Sequence, residues 1–446
     1  MTVLSKLAYR WGFPIVTANC HEITHTWEPD CLKAIWTAVP GGFWFCLKTY
    51  TIFYALTTLI NKRGKLKEIK YQKLLRDILQ SSTFLCMNMI FYLYFQCKIR
   101  HALGFFIAPT FCGVSSFMAS FCAILIEKAA RRRPLALYLA NLASETAYRQ
   151  LANHGYLPRF NRGECVPLIA GIVLIMYLYS SNRLPQGLIK VLKTCAGVDT
   201  KATHLNLKNA PKEFKKMLQQ LREKFGKSDE CVHDHSCVST SIEMFIRNFG
   251  LGLGISGALS VLKNLGNIFT QPRVALKNIL STHNLRLPLF FGLLPLLFHT
   301  TNCTMNRIGV TNKMVKNMLS GGIAGLSMVA FPNVTIAMYV LWKAIEVLYC
   351  DLYNRGYIPY IPYGDIILYT ISTGYVLWMA ALEPQAVRSG YREFLMGLTG
   401  GRLALFNRHL IDSFGYKSSL IYPQSFQPDP LHSTINPMFY RPLRES

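Results

Sequence analysis

Acidic residues are scarce in this chain: 23 Asp and Glu stand against 48 Lys and Arg in 446 residues, and only 16% of positions are charged. Soluble domains average about 25%, so a string of ordinary water-soluble domains is excluded, although the length would hold two or three. No cleavable leader is expected, because Met1 to Asp30 carries Cys20, His21, Glu22, His25 and Asp30 where a signal peptide needs an apolar core. The final Arg444-Glu445-Ser446 is neither a peroxisomal matrix tripeptide nor an ER-retrieval sequence. No nucleophile elbow and no series of histidine boxes is present, so a non-enzymatic protein with no cofactor is expected. The thirteen cysteines follow no disulfide framework. Many, such as Cys86, Cys112 and Cys122, sit inside apolar blocks and read as small core or lipid-facing residues of a protein on a reducing side.

What is abundant is apolar sequence, 51% of the chain, gathered in blocks. A bilayer needs roughly 17 to 25 apolar residues per helix, and the blocks predict spans near 43–60, 78–97, 104–126 and 165–180, then 244–262, 287–302, 315–331 and 365–382. A half-polar helix lies between the last two of each set, at 135–151 and 335–351. Residues 136–163 reappear 201 positions later with eleven identities in 28 positions, including Ala136/Ala337, Tyr138/Tyr339, Glu145/Glu346, Tyr148/Tyr349, Gly155/Gly356 and Pro158/Pro359. An internal match among apolar helices points to a duplicated membrane module. The fold class expected is all-α: a polytopic membrane protein of two homologous halves, about five helices each, with amphipathic interfacial helices. The boundaries predicted are a polar Cys/His segment at 1–42, a first repeat at 43–182, a basic soluble linker at 183–240, a second repeat at 241–382, and amphipathic helices with an extended tail at 383–446.

Basic residues cluster at Lys62, Arg63, Lys65, Lys67, Lys70 and Lys73, at Lys128 with Arg131, Arg132 and Arg133, and through the linker from Lys190 past Lys201 and Lys208 to Lys227. These clusters share one side of the membrane only if the helix at 135–151 crosses it. Five spans per half would then invert the second copy, whereas a surface-lying helix leaves four spans and parallel copies. The clusters lack interleaved aromatics, which argues against nucleic acid and for anionic lipid headgroups. Within the linker, Phe214, Leu218, Leu221 and Phe225 share one helical side. Tyr391, Phe394, Leu395 and Leu398, then Leu403, Phe406, Leu410 and Ile411, form similar stripes, and such helices are expected in the headgroup region.

Four sets of residues are candidate sites. Glu145 with Tyr138 and Tyr148, and Glu346 with Tyr339 and Tyr349, lie on single faces of the half-polar helices. Two such carboxylates at a repeat interface would form a polar transport pathway; as surface residues they would simply meet water or an arginine. Cys20, His25 and Cys31 open the first half, and Cys231, His233, His235 and Cys237 open the second, offering thiolate and imidazole ligands without the paired spacing of ordinary structural zinc motifs. His21-Glu-Ile-Thr-His25 reproduces the metalloprotease string, but between Pro14 and Pro29 it lacks the helix that string requires. Gly252-Leu-Gly-Ile-Ser-Gly257 has dinucleotide-binding spacing without a preceding strand. Gly250 with Gly254, and Gly321 with Gly325, instead give the G-x-x-x-G spacing of closely packed helices.

Asn19-Cys-His-Glu-Ile-Thr-His-Thr-Trp27, Ile126-Glu-Lys128, Leu139-Ala-Asn-Leu-Ala-Ser-Glu-Thr146, Ile268-Phe-Thr-Gln-Pro272, Pro359-Tyr-Ile-Pro362, Asp365-Ile-Ile-Leu-Tyr-Thr-Ile-Ser372 and Gly401-Arg402 with Phe406-Asn-Arg408 occur in one order along the chain. Together they resemble the transmembrane protein 135 family, also called peroxisomal membrane protein 52, over about residues 16–420. The resemblance implies a multi-pass protein of peroxisomal and mitochondrial membranes that regulates lipid metabolism and mitochondrial fission, with organelle-dynamics proteins as partners. It also implies a second half similar to mitochondrial inner-membrane translocase channels. The alternative is a secondary transporter of a fatty acid, sterol or related lipid metabolite. His21 stands where the family pattern has tyrosine, which breaks the metalloprotease string, and the family offers no catalytic residues to carry over.

Overall fold

The computed structural model describes residues 3–62, 70–158, 160–199, 212–224, 226–227, 230–264, 271–279 and 281–420. The basic loop at 63–69, Lys201, Lys208, Phe225, Ile268 and the tail at 421–446 lie outside the described residues. Helices dominate, and the one β-bridge among the described residues joins Val16 to Phe106. Ten helices carry the architecture: α1 (Cys31–Asn61), α2 (Tyr71–Leu103), α3 (Gly113–Ile126), α4 (Ala129–Asn153), α5 (Cys165–Ser180), α6 (Cys237–Lys263), α7 (Arg286–Arg307), α8 (Lys313–Ala324), α9 (Val334–Asn354) and α10 (Gly364–Leu382).

The chain forms two compact units, one of Met1–Pro158 with Ile361–Ser446 and the other of Arg159–Tyr360. In the first, α1 packs on α2, α2 on α3, and α10 lies against both α3 and α4. Phe84, Phe106, Phe111, Ile124, Leu142 and Leu382 fill its core. In the second, α6 packs on α7, α7 on α8, and α5 lies against both α8 and α9. Leu168, Met176, Phe290, Phe298 and Met328 form its core. The compact units therefore depart from the sequence boundaries at 182 and 241: α5 is built into the second unit and α10 into the first. Absent side chains explain how closely these helices sit. A Cβ on Gly374 of α10 would stand 2.7 Å from the Phe117 ring of α3, and one on Gly171 of α5 would stand 2.8 Å from the backbone of Leu341 in α9.

Gly321 and Gly325 face α5, where added Cβ atoms would strike Met176, Ile172 and Ile169. Gly250 and Gly254 correct the expectation for α6, since a Cβ on either meets open space. The close approach falls on Gly252, whose Cβ would lie 2.6 Å from Pro288 Cα of α7. Positions two residues to either side are rotated by roughly 200° and cannot share that face.

Three helices among the described residues are long and apolar enough to cross a membrane: Tyr71–Leu103, Cys237–Val261 and Gly364–Leu382. Of the other predicted spans, 43–60, 165–180 and 287–302 each fall within a single helix, whereas 104–126 and 315–331 are interrupted. Gly104, at φ +78°, ends α2, and residues 104–112 turn before α3 starts, leaving a 14-residue helix where the sequence predicts 104–126. At 1.5 Å per residue such a helix is about 21 Å long, short of a hydrocarbon core of about 30 Å. On α6, Leu251, Leu253, Ile255 and Leu259 are exposed, an apolar surface suited to acyl chains.

The matched Gly-Tyr-x-Pro segments terminate α4 and α9 in the same way. Gly155 and Gly356 both take φ +78°. Tyr156 N–H donates to Leu151 C=O (2.9 Å) and Tyr357 N–H to Leu352 C=O (3.0 Å), each closing a Schellman motif. The chain passes from one unit to the other immediately beyond each motif.

The amphipathic segments make specific contacts with the long helices. In the linker helix Lys212–Lys224, Leu218 is fully buried and Arg222 donates to the buried Glu243 of α6. Beyond α10, Ser389–Leu398 lies against α1, with Gly397 set directly over the Phe45 ring. Arg408 is buried, donating to Ala381 C=O and Leu403 C=O (2.6 Å each) and to Ser418 Oγ (2.9 Å). Part of the basic cluster after α3 is also consumed internally, since Lys128 and Arg131 pair with Asp77, and Arg132 caps Leu125 C=O.

Candidate functional site

Two clusters of three cysteines and one histidine stand out, one in each unit: Cys20, His25, Cys31 and Cys97, and Cys231, His233, Cys237 and Cys303. Within each, the four potential donor atoms all lie within 4.8 Å of one another. All eight cysteine and histidine side chains except Cys31 are buried, and none of the six cysteines is in a disulfide.

Local structure delivers each member. The Val16–Phe106 bridge and the bond from Arg100 Nε to Ala18 C=O (2.8 Å) pin the N-terminal segment to the end of α2, so that Cys20 reaches Cys97. Glu22 accepts from Asn19 N–H in a capping box that winds the short helix Cys20–Ile23. Asp30 accepts from the Leu32 and Lys33 amides at 2.8 and 3.1 Å, which makes Cys31 the first residue of α1. In the second unit Ser236 accepts from Ser239 N–H and starts α6 at Cys237, while Cys303 comes from α7. Both clusters thus place one thiol at a helix N-terminus, where the peptide dipoles favour thiolate.

The histidines are held alike. His25 Nδ1 is 2.7 Å from Glu28 C=O and His233 Nδ1 is 2.6 Å from His235 C=O, so each donates that proton and leaves Nε2 as the lone-pair nitrogen. His25 Nε2 is buried and has no hydrogen-bond partner. His233 Nε2 lies 3.3 Å from Cys303 Sγ, and Cys231 Sγ lies 3.8 Å from the sulfurs of both Cys237 and Cys303. Hydrogen bonding with Cys97 holds the Cys20 thiol below its ordinary pKa, against burial and with help from His25 and Arg100. Burial pushes His233 below its ordinary value, keeping it neutral at neutral pH.

Cys97 and Cys303 escape the sequence reading because each sits in an apolar helix far from its partners. One signal was available: Cys97 follows Cys31 by 66 positions, and Cys303 follows Cys237 by the same 66. His235 is corrected from ligand candidate to carbonyl acceptor for His233. His21 and Glu22 serve local turns, with His21 Nδ1 3.2 Å from His25 C=O, so no metalloprotease face forms. His25 and Asp30 also have acyltransferase H-x-x-x-x-D spacing, but the histidine is committed to Glu28 C=O and the aspartate to the α1 amides.

The acidic helices lie one in each unit. Glu145, in the first unit, is buried; its Oε1 accepts from Arg149 at 2.6 Å and its Oε2 from Arg388 Nε at 2.9 Å. Glu346, in the second unit, pairs with Lys343 at 2.6 Å. Each carboxylate thus finds cations inside its own unit. Tyr148 Oη donates to Pro158 C=O at 3.1 Å, and Tyr138 and Tyr339 are exposed. Tyr349 is half-buried on α9. Near Glu145 in sequence, Asn153 and His154 both meet the buried Glu383 at 3.2 Å. Arg388 and Glu383 were invisible to sequence reasoning, since their partners are more than two hundred residues away.

No solved structure matches the chain. Residues 17–152, a stretch that contains all four members of the first cluster, match a family described as the N-terminal cysteine-rich region of Transmembrane protein 135.

Proposed function

The match over residues 17–152 makes the chain a member of the transmembrane protein 135 family, and from that premise we propose that it is a multi-pass protein of peroxisomal and mitochondrial membranes that regulates lipid metabolism and mitochondrial fission without catalysing a reaction. Family membership and three long apolar helices are those of a membrane protein. The organelles and the regulatory role follow from the family resemblance. The observation that carries the non-transport reading is the state of the two matched glutamates. Glu145 is clasped by two arginines and Glu346 by a lysine, which supports a structural role for both over cargo binding or proton relay. Buried carboxylates fixed in this way act as structural ties. The remaining lysines and arginines beside the apolar helices are suited to anionic headgroups and to acidic faces of organelle-dynamics proteins.

A second reading, transport of a fatty acid, sterol or related lipid metabolite, draws support from one pattern. The helix pairings of the first unit, α1–α2–α3 with α10 on α3 and α4, recur in the second as α6–α7–α8 with α5 on α8 and α9. Two copies of one module, each completed by the last helix of the other, explain both this pattern and the sequence match, and duplicated modules are the usual frame of secondary transporters.

The readings separate in vesicles reconstituted with purified wild type and with Glu346→Gln, whose side chain is less enclosed than Glu145. A regulator gives no flux of labelled fatty acid or sterol above protein-free vesicles, and the variant still restores peroxisomal and mitochondrial morphology in cells lacking the protein. Flux by the wild type that the variant loses would replace the regulatory reading with the transport one.

A further inference from the structure

We propose that the chain binds two structural zinc ions, one in each compact unit, held by Cys20, His25, Cys31 and Cys97 and by Cys231, His233, Cys237 and Cys303.

The donor set is the first argument. Three sulfurs and one imidazole nitrogen in a closed group of four match tetrahedral zinc, and a fourth protein ligand leaves no open position for catalysis. Size is the second. With Zn–S about 2.3 Å and Zn–N about 2.0–2.1 Å, a tetrahedron has S···S edges of about 3.8 Å and S···N edges of about 3.5 Å. The second cluster shows two S···S separations of 3.8 Å and an N···S separation of 3.3 Å. A disulfide needs about 2.05 Å and would leave the third thiol and the histidine unused.

The surroundings are the third argument. A metal-ligating histidine normally donates its other ring N–H to a carbonyl, which fixes the ring and its tautomer. His25 and His233 both do so, and His25 Nε2 is left buried without a partner. An orphaned buried acceptor costs about 1–3 kcal/mol, a cost that metal coordination removes. Zinc binding at each site releases the remaining thiol protons and leaves three thiolates against a divalent ion, a net single negative charge. Matching donors are in place. Arg100 lines the cleft beside the first cluster, and in the second Asn306 Nδ2 donates to Cys231 Sγ at 3.3 Å while Lys316 bonds to Asn306 Oδ1 at 2.8 Å. Each ion would fasten the segment before a unit's first long helix to its second long helix, a link that otherwise depends on a few hydrogen bonds.

The test uses full-length protein purified in detergent under reducing conditions through a tag without histidine. Elemental mass spectrometry is expected to find two zinc ions per chain, one in Cys97→Ser, one in Cys303→Ser and none in the double variant. If a variant fails to fold, wild-type protein titrated with an organomercurial is expected to release both ions as the six cluster thiols are modified. Wild type that carries no zinc, holds iron instead, or yields Cys20–Cys97 or Cys231–Cys303 disulfides under reducing conditions overturns the proposal. Zinc that stays bound after the thiols are blocked overturns it as well. None of these readouts depends on the lipid or organelle role.

Discussion

At the scale of single residues, the two matched glutamates are identical in sequence and unlike in setting. Glu145 is almost sealed from solvent, with side-chain exposure of 3%, and is shared by Arg149 and Arg388, the second more than two hundred residues away. Glu346, 10% exposed, pairs along its own helix with a lysine three positions away whose side chain is 36% exposed. Removing one partner from an enclosed pair leaves the other's charge uncompensated, whereas a local pair with one solvent-reaching partner contributes less. Glu145→Ala should therefore cost on the order of 2–4 kcal/mol and Glu346→Ala about 0–1 kcal/mol, read as a clear separation of melting temperatures in detergent. Equal effects would mean that Arg388 does not hold Glu145. The sequence shows that the glutamates correspond and share faces with tyrosines. It does not show Arg388, because nothing local ties that residue to helix α4. Six of the eight cluster residues are legible as a Cys/His grouping before a helix. Cys97 and Cys303 are not, since in a greasy helix a thiol looks like any other small core residue.

Among the elements, helix lengths and contact faces carry the argument. Apolar runs are visible in the sequence, but helix ends depend on single turn-forming residues. Gly104 cuts the block at 104–126 to a short helix, while the Gly155 and Gly356 endings are predicted correctly from a glycine followed by proline. The α6 glycines show why spacing alone misleads. Gly250 and Gly254 satisfy G-x-x-x-G, yet Gly252 is the residue pressed against Pro288. Gly252→Ala should lose about 1–3 kcal/mol by overpacking. Gly250→Ala, placed in open space within a helix, should be neutral or gain about 0.5–1 kcal/mol by relieving glycine's entropy cost. Thermal denaturation of the two variants side by side checks the assignment, and a reversed order would show that the contact face of α6 runs through Gly250.

For the whole molecule, connectivity matters more than composition. The internal match at an offset of 201 is plain in the sequence. Which helix closes which unit is not, because periodicity records that a face is apolar but not what covers it. Since α5 packs with α8 and α9, and α10 with α3 and α4, a fragment covering 1–182 should lack the cover for its own α3 and α4. Expressed alone, that fragment should aggregate or be cleared. Co-expressed with 183–446, it should co-purify as a stable pair in size-exclusion chromatography. A monodisperse, protease-resistant 1–182 fragment would show that the first half closes without α10.

The order of synthesis gives this arrangement a biological edge. The unit whose first helix leaves the ribosome earliest is the last to be finished, because its closing helix, Gly364–Leu382, is translated after the whole of its neighbour. Until then the sides of α3 and α4 that will receive that helix stay uncovered, and an insertase or chaperone would have to shield them. A premature stop just past Tyr360 would release a chain with one finished unit and one open one, a form that quality control should destroy.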